Sequence, residues 1–176
     1  MSLRNLDKID KEIISLLQND STVTHSQIAK NLNRSQPAIG SRIKKLTDKG
    51  ILATQNGVDF SKIDDLNLVI LEISTSRPEK IIEMAQICPY LINAIKISGV
   101  QNVIAFMACS SLKRLDNIID HHFRSSPYIS SISMNLVSGM ANKFILPVDF
   151  HIEDFKSPDD PCHLCGDCEE LMKSEK

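Results

Sequence analysis

From Asn19 to Gly50 the chain carries helix start and stop signals at such short intervals that only brief helices can form there. The polar run Asn19-Asp20-Ser21-Thr22 breaks any preceding helix. Thr24-His25-Ser26-Gln27 then has the S/T-x-x-E/Q form of a capping box, in which side chain and backbone satisfy each other's exposed N–H groups. Ile28, Ala29 and Leu32 supply the apolar face of the helix it opens, and Asn33 suits a left-handed stop. Ser35 is placed to cap the next helix. Pro37 falls in its first turn, where a missing N–H costs nothing. Ile39, Ile43 and Leu46 recur at helical spacing, and Gly50 ends the segment.

Upstream, Ile9, Ile13, Leu16 and Leu17 mark one face of a helix whose first turn holds Asp7 and Asp10, carboxylates that suit the positive end of its dipole. Two short helices joined by a turn, the later one with Gln36, Ser41, Arg42, Lys44 and Lys45 on its outer face, form the layout of a helix-turn-helix. A three-helix domain that never meets DNA has the same periodicity. The segment Ile51–Val58 holds an Asn56-Gly57 turn signal between short extended runs, which predicts a small hairpin wing.

Charge supports a polyanion partner for this end alone. Ten Lys and Arg against six Asp and Glu through Lys62 leave +4, so the remainder of a chain with net charge −2 carries −6. No apolar run reaches the roughly 20 residues of a bilayer span. The first residues have no apolar leader core, so the expected compartment is the cytoplasm, where thiols stay reduced.

Beyond residue 63 the periodicity changes. Leu66–Ser74 reads as a strand and Pro78 opens a helix to about Ile87. Leu91–Ile97 and Val103–Cys109 read as strands, Leu112–Phe123 as a helix, and Tyr128–Val137 as a strand, with a last strand within Lys143–Phe150. The order β-α-β-β-α-β predicts an α+β ferredoxin-like module, an antiparallel sheet with helices on one face. Its bare face is expected to pair two copies. Cys88 and Cys109 fall in apolar runs and read as core residues. His121 and His122 are adjacent on a helix and cannot readily share a metal.

The head resembles that of the Lrp/AsnC (feast/famine) transcriptional regulators. The resemblance lies in Leu6-Asp7-x-x-Asp10-x-x-Ile13-Ile14-x-x-Leu17, then Ile28-Ala29-x-x-Leu32, then Ser35-x-x-x-Ile39-x-x-Arg42-Ile43-x-x-Leu46-x-x-x-Gly50-Ile51, and extends to about Ile63. It implies a winged helix-turn-helix DNA-binding domain over 1–63, with a ligand-sensing and dimerisation domain of ferredoxin-like topology over 64–150. The implied assembly is a homodimer that can build up to an octamer on double-stranded DNA. Ser35–Lys49 becomes the recognition helix, with Ser35, Gln36 and Ala38 near base edges. Arg34, Ser41, Arg42 and Lys45 then contact phosphate or base, although an ion pair with Asp48 or another acid is a second reading of Arg42. The family's effector loop, Gly-x-x-Asp, here runs Gly99-Val100-Gln101-Asn102, with an amide in place of the acid. Gly99, Gln101 and Asn102 are the effector candidates, a plain turn being the other reading.

No residue set calls for catalysis. Some siroheme decarboxylases resemble this two-part architecture too, but their aromatic and His-rich C-terminal motifs are not apparent here. An architectural DNA-binding protein with little sequence preference is a further alternative.

The segment 151–176 is acidic and holds Cys162-His163-Leu164-Cys165-Gly166-Asp167-Cys168. Cys-x-x-Cys-Gly suits the tight turn of a zinc knuckle, with Cys168 a third ligand and His163, among others, a fourth. The same spacing begins ferredoxin clusters, although the Cys-Pro that would follow is missing. A thiol redox switch also fits it, as does an idle tail.

Overall fold

In a computed structural model, which describes residues 6–149, the chain divides between Gln55 and Asn56 into two compact units. The cysteine run of the tail lies outside the described residues.

The first unit has three helices, α1 (Lys8–Asn19), α2 (His25–Asn31) and α3 (Gln36–Asp48). Each begins where the sequence signals placed it. Asp7 caps α1, its carboxylate accepting from Asp10 N at 2.8 Å. The capping box of α2 is complete: Gln27 N donates to Thr24 Oγ1 and Thr24 N donates to Gln27 Oε1. Ser35 is the residue before α3, but its hydroxyl makes no capping hydrogen bond, contrary to the role its position suggests. The core is a four-branched-residue cluster in essence, Ile13, Ile28, Ile39 and Leu46 with Ala29, ringed by half-buried aliphatics. With no aromatic ring in it, shape matching among these branched side chains defines the packing.

The boundary falls before residue 63 because the expected wing hairpin does not form. Residues 51–57 make no strand. Instead β1 (Val58–Asp59) pairs antiparallel with β6 (Ile145–Leu146), far along the chain. Phe60 N donates to Phe144 O at 3.0 Å, and Phe60 packs against Leu68 and Ala108 of the second unit. Gly57 is explained by this pairing and not by a turn. A Cβ there would lie 2.5 Å from the Leu146 carbonyl oxygen, so the close approach of two backbones excludes a side chain.

The second unit is the βαββαβ module. Strands β2 (Asn67–Thr75), β3 (Leu91–Lys96), β4 (Val103–Cys109) and β5 (Ile129–Leu136) form one antiparallel sheet in the order β3-β4-β2-β5. Helices α4 (Pro78–Met84) and α5 (Leu112–Ile119) supply Ile81, Met84, Leu115 and Ile119 to one core with Val69, Leu71, Ile73, Val103, Ala105 and Met107. Cys88 and Cys109 are buried in it, as their apolar surroundings suggested. The second helix is not regular to Phe123: a π-helical turn follows at Asp120–Arg124, burying His122 and Phe123 while His121 stays exposed.

The opposite sheet face carries Ile70, Glu72, Asn93, Ile95, Ile104 and Phe106, the alternate positions of the same strands. One end is covered by Phe144, whose ring lies 6.3 Å from that of Phe106. The rest is only half-buried, and Ile95 is 43% exposed.

Replacing Gly57 with Ala should lower the melting temperature of the second unit, with a loss of about 1–3 kcal/mol, and should speed hydrogen exchange at the Phe60 amide. Unchanged exchange there would mean that the β1–β6 ribbon does not depend on the bare backbone at Gly57.

Candidate nucleic-acid interface

The turn between α2 and α3 is closed by backbone geometry. Asn33 adopts φ 50°, the left-handed region that Asn tolerates better than most side chains. That reversal lets Arg34 N donate to Ala29 O at 2.9 Å and Asn33 N to Lys30 O at 3.3 Å, the two bonds of a Schellman closure. The end of α3 repeats it: Gly50 has φ 64°, Ile51 N donates to Leu46 O at 2.9 Å, and Gly50 N donates to Thr47 O at 2.8 Å. Helix α3 is thus bounded on both sides by fixed turns.

Its rotation about its own axis follows from burial. Ile39 and Leu46 are buried and Ile43 half-buried, so they point inward. At about 100° per residue, Ser41 lies opposite them with Lys44 and Lys45 beside it, and all three are exposed. Arg34, Ser35, Gln36 and Ala38 are exposed at the N-terminal end. The sequence-predicted contact residues are therefore all exposed, Arg42 excepted, with Ser41 and Lys45 on the outward side of the helix and the others at its N-terminal end.

Arg42 is half-buried on the flank facing α1. Its Nη1 donates to Asp7 Oδ2 at 2.6 Å and to Asp10 Oδ1 at 2.7 Å. Asp48 is not its partner; six residues along the same helix it lies on another side. Asp7 and Asp10 are read from sequence only as dipole partners of α1. Gly40 faces the other neighbour: a Cβ there would lie 3.4 Å from His25 Nδ1, an ordinary contact, so space alone does not demand the glycine.

In the second unit the effector candidates do not converge as a set. Asn102 Oδ1 accepts from Thr75 N at 3.0 Å and its Nδ2 donates to Thr75 O at 2.7 Å, so both ends of the amide are used to hold β2. Ser74 Oγ donates to Val100 O at 2.8 Å, pinning the same loop. Gly99, at φ 139°, and Gln101 are exposed at its tip. Nearby, Arg77 stacks over the Tyr128 ring at 4.5 Å with Lys80 Nζ 5.2 Å from the same centroid, a cluster that the sequence pattern does not reveal.

Among known proteins, residues 6–53 match the family model for winged helix-turn-helix DNA-binding. An uncharacterised HTH-type transcriptional regulator of Pyrococcus furiosus is 25% identical over 145 residues, 76% of this chain and 88% of its own. The regulator LrpA of Pyrococcus horikoshii is 33% identical over 81 residues, 46% of this chain and 57% of its own. Escherichia coli AsnC superposes with a TM-score of 0.66 at 16% identity, over 79% of this chain and 96% of its own. A regulator from Neisseria meningitidis, solved as a complex with L-methionine, superposes at 0.67 with 16% identity, over 84% and 99%. This is an Lrp/AsnC fold. The matched span covers α1 to α3, with α2 and α3 as its helix-turn-helix. The Lrp/AsnC relatives are regulators and not enzymes, so the decarboxylase alternative finds no support among them. Among the described residues no helix is long and apolar enough to cross a membrane.

The Asp7 carboxyl is held below its ordinary value, first by the Asp10 backbone N–H and then by Arg42. Asp20 is lowered in the same way by the hydroxyl and amide of Thr22. A carboxylate depressed in the folded state contributes stability above its unfolded pKa and loses it as pH falls through the folded one. The melting temperature of the first unit should therefore drop as pH falls below about 4. Asp7→Asn should flatten part of that drop; an acid profile identical to wild type would remove Asp7 from the linkage.

Proposed function

We propose that this chain is a sequence-specific DNA-binding transcriptional regulator that acts as a homodimer. The observation that carries the reading is α3. It is a helix fixed at both ends by left-handed closures, anchored by Ile39 and Leu46, and presents Ser41, Lys44 and Lys45 outward with Gln36 and Ala38 at its N-terminal end. A helix so held can enter a major groove, its N-terminal residues at base edges and its lysines near phosphate.

Dimerisation is favoured by the half-covered sheet face. Ile70, Ile95, Ile104 and Phe106 form an apolar surface that a second copy would remove from water, and a two-fold pair would carry two recognition helices. Assembly of such dimers into an octamer is the higher state that the resemblance implies. Effector control at the Gly99–Asn102 loop would use Gln101 and the backbone near Gly99, because the Asn102 amide is already engaged with Thr75.

The test is binding of the full chain to a duplex selected by it from randomised DNA. Each key base-pair change in that duplex should cost about 1–3 kcal/mol, and Lys45→Ala should reduce the slope of log affinity against log salt by about one unit. Affinity indifferent to base changes would make the protein an architectural DNA binder instead.

The cysteine run is the second element of the proposal: Cys162, Cys165 and Cys168, with His163 as a fourth ligand, hold zinc. Protein purified without a metal-affinity tag should contain close to one zinc per chain and no visible absorption band. Replacing the three cysteines with serine should abolish that content. A brown chromophore would reassign the run to an iron–sulfur cluster, and metal-free, fully reduced protein would leave a thiol switch or an idle tail.

A further inference from the structure

We infer that Arg42 is a positioning residue: it sets the pose of the recognition helix by tying α3 to the start of α1 through Asp7 and Asp10, and does not itself contact DNA. The inference rests on the reading of α3 as the DNA-binding helix.

The geometry of the three residues is mutually fixed. Asp7 uses one oxygen, Oδ1, to cap α1 by accepting from Asp10 N at 2.8 Å, and offers the other, Oδ2, to Arg42 Nη1 at 2.6 Å. Asp10, one turn further on, accepts from the same Nη1 at 2.7 Å. The cap has already immobilised the Asp7 carboxylate, so its ion pair costs less ordering than two floppy surface side chains would. Side-chain exposures of 38% for Arg42 and 51% for Asp7 leave that pair at the surface, whereas Asp10, at 18%, holds its end of the contact at the helix junction. Arg42 there lines a small crevice with Leu6, Asp10, Leu46 and Ile51, which Lys45 and Lys49 also line.

Direction and charge agree. By helical geometry Arg42 lies about 60° from Ile39, beside the inward stripe, whereas Ser41 lies about 160° away. For Arg42 to reach a phosphate it must leave two carboxylates, and those would then stand uncompensated in the field of the DNA backbone. In place, the three groups sum to −1, so the cluster as a whole offers phosphate no net attraction. Its value to binding is angular. On its α2 side α3 meets His25 beside Gly40 in an ordinary contact, and on its α1 side it is held by this clamp.

The experiment measures affinity of the full-length protein for the selected duplex over a salt series, well below the melting temperature and with folding checked by circular dichroism. The variants are Arg42→Ala, Asp7→Asn with Asp10→Asn, the combination of all three, and Lys45→Ala. Asn is as good a cap as Asp, so the acid-free variant keeps α1 intact. A positioning role predicts that Arg42→Ala and the Asp7/Asp10 pair each weaken binding by about three- to tenfold, that combining them adds little, and that the salt slope stays at the wild-type value. Lys45→Ala alone should lower the slope. The inference is overturned if folded Arg42→Ala loses a unit of slope while the Asp7/Asp10 variant binds as tightly as wild type or tighter, because Arg42 is then a phosphate contact. It is overturned equally if folded Arg42→Ala binds like wild type. Failure of the wild-type protein to bind any duplex would remove the DNA-binding reading itself and this inference with it.

Discussion

The left-handed residue Asn33 governs the geometry of the first unit. Its reversal of φ brings Arg34 N and Asn33 N back onto the last carbonyls of α2, and from that point the direction of α3 is set by covalent geometry. A residue unable to adopt φ near 50° would have to leave those carbonyls unpaired or unwind the last turn of α2. Gly50 does the same service at the far end. Between the two closures α3 has only its roll left to determine, and Ile39 and Leu46, buried against Ile13 and Ile28, determine most of that.

The core holds α3 by close packing of branched side chains, which interdigitate but make no directional bonds. The flanks of α3 supply the direction. On one side His25 meets Gly40 in an ordinary contact; on the other a guanidinium meets two carboxylates rooted in the first turn of α1. A short hydrogen-bonded contact resists displacement in every direction, whereas an apolar contact resists mainly separation. Placing the directional contact near the helix's middle, on the flank toward α1, gives leverage over where Ser41 and Lys45 point.

Local signals were legible in the sequence because they depend on few residues. The capping box at Thr24, the left-handed stops at Asn33 and Gly50, and the βαββαβ order all follow from spacing within a dozen residues or so. The features that sequence did not give are non-local. The wing's strand finds its partner at Ile145–Leu146 and not across Asn56-Gly57, because the glycine is needed for a backbone approach that no local pattern encodes. Arg42 reads from sequence as a DNA contact or an ion-pair partner; that its partners are Asp7 and Asp10, on another helix, is visible only in the fold. Asn102, a pocket candidate by its place in the loop, spends both ends of its amide on the backbone of β2. Ser35 stands at the cap position without capping, so position alone does not establish the bond.

The proposed pairing of two copies would supply what one such head lacks. A single recognition helix contacts only a few base edges, and at about 1–3 kcal/mol per discriminated pair it cannot separate one site from the bulk of non-specific duplex. Joining two heads converts the second binding event into an intramolecular one, so the discriminations of the two half-sites multiply. The means of joining must be symmetric and must not consume the surface of α3. A sheet with helices on one face and a half-covered apolar face on the other would meet both conditions: its helices complete one core within the chain, and Ile70, Ile104 and Phe106 form a second, half-buried face that a second copy would cover in the proposed dimer. Glu72 in the middle of that face, accepting from Ser133 Oγ at 3.3 Å, constrains the pairing further, because a carboxylate cannot be covered by an arbitrary apolar surface without losing its solvation. The face is thus apolar enough to associate and polar enough at one point to require a partner that matches it.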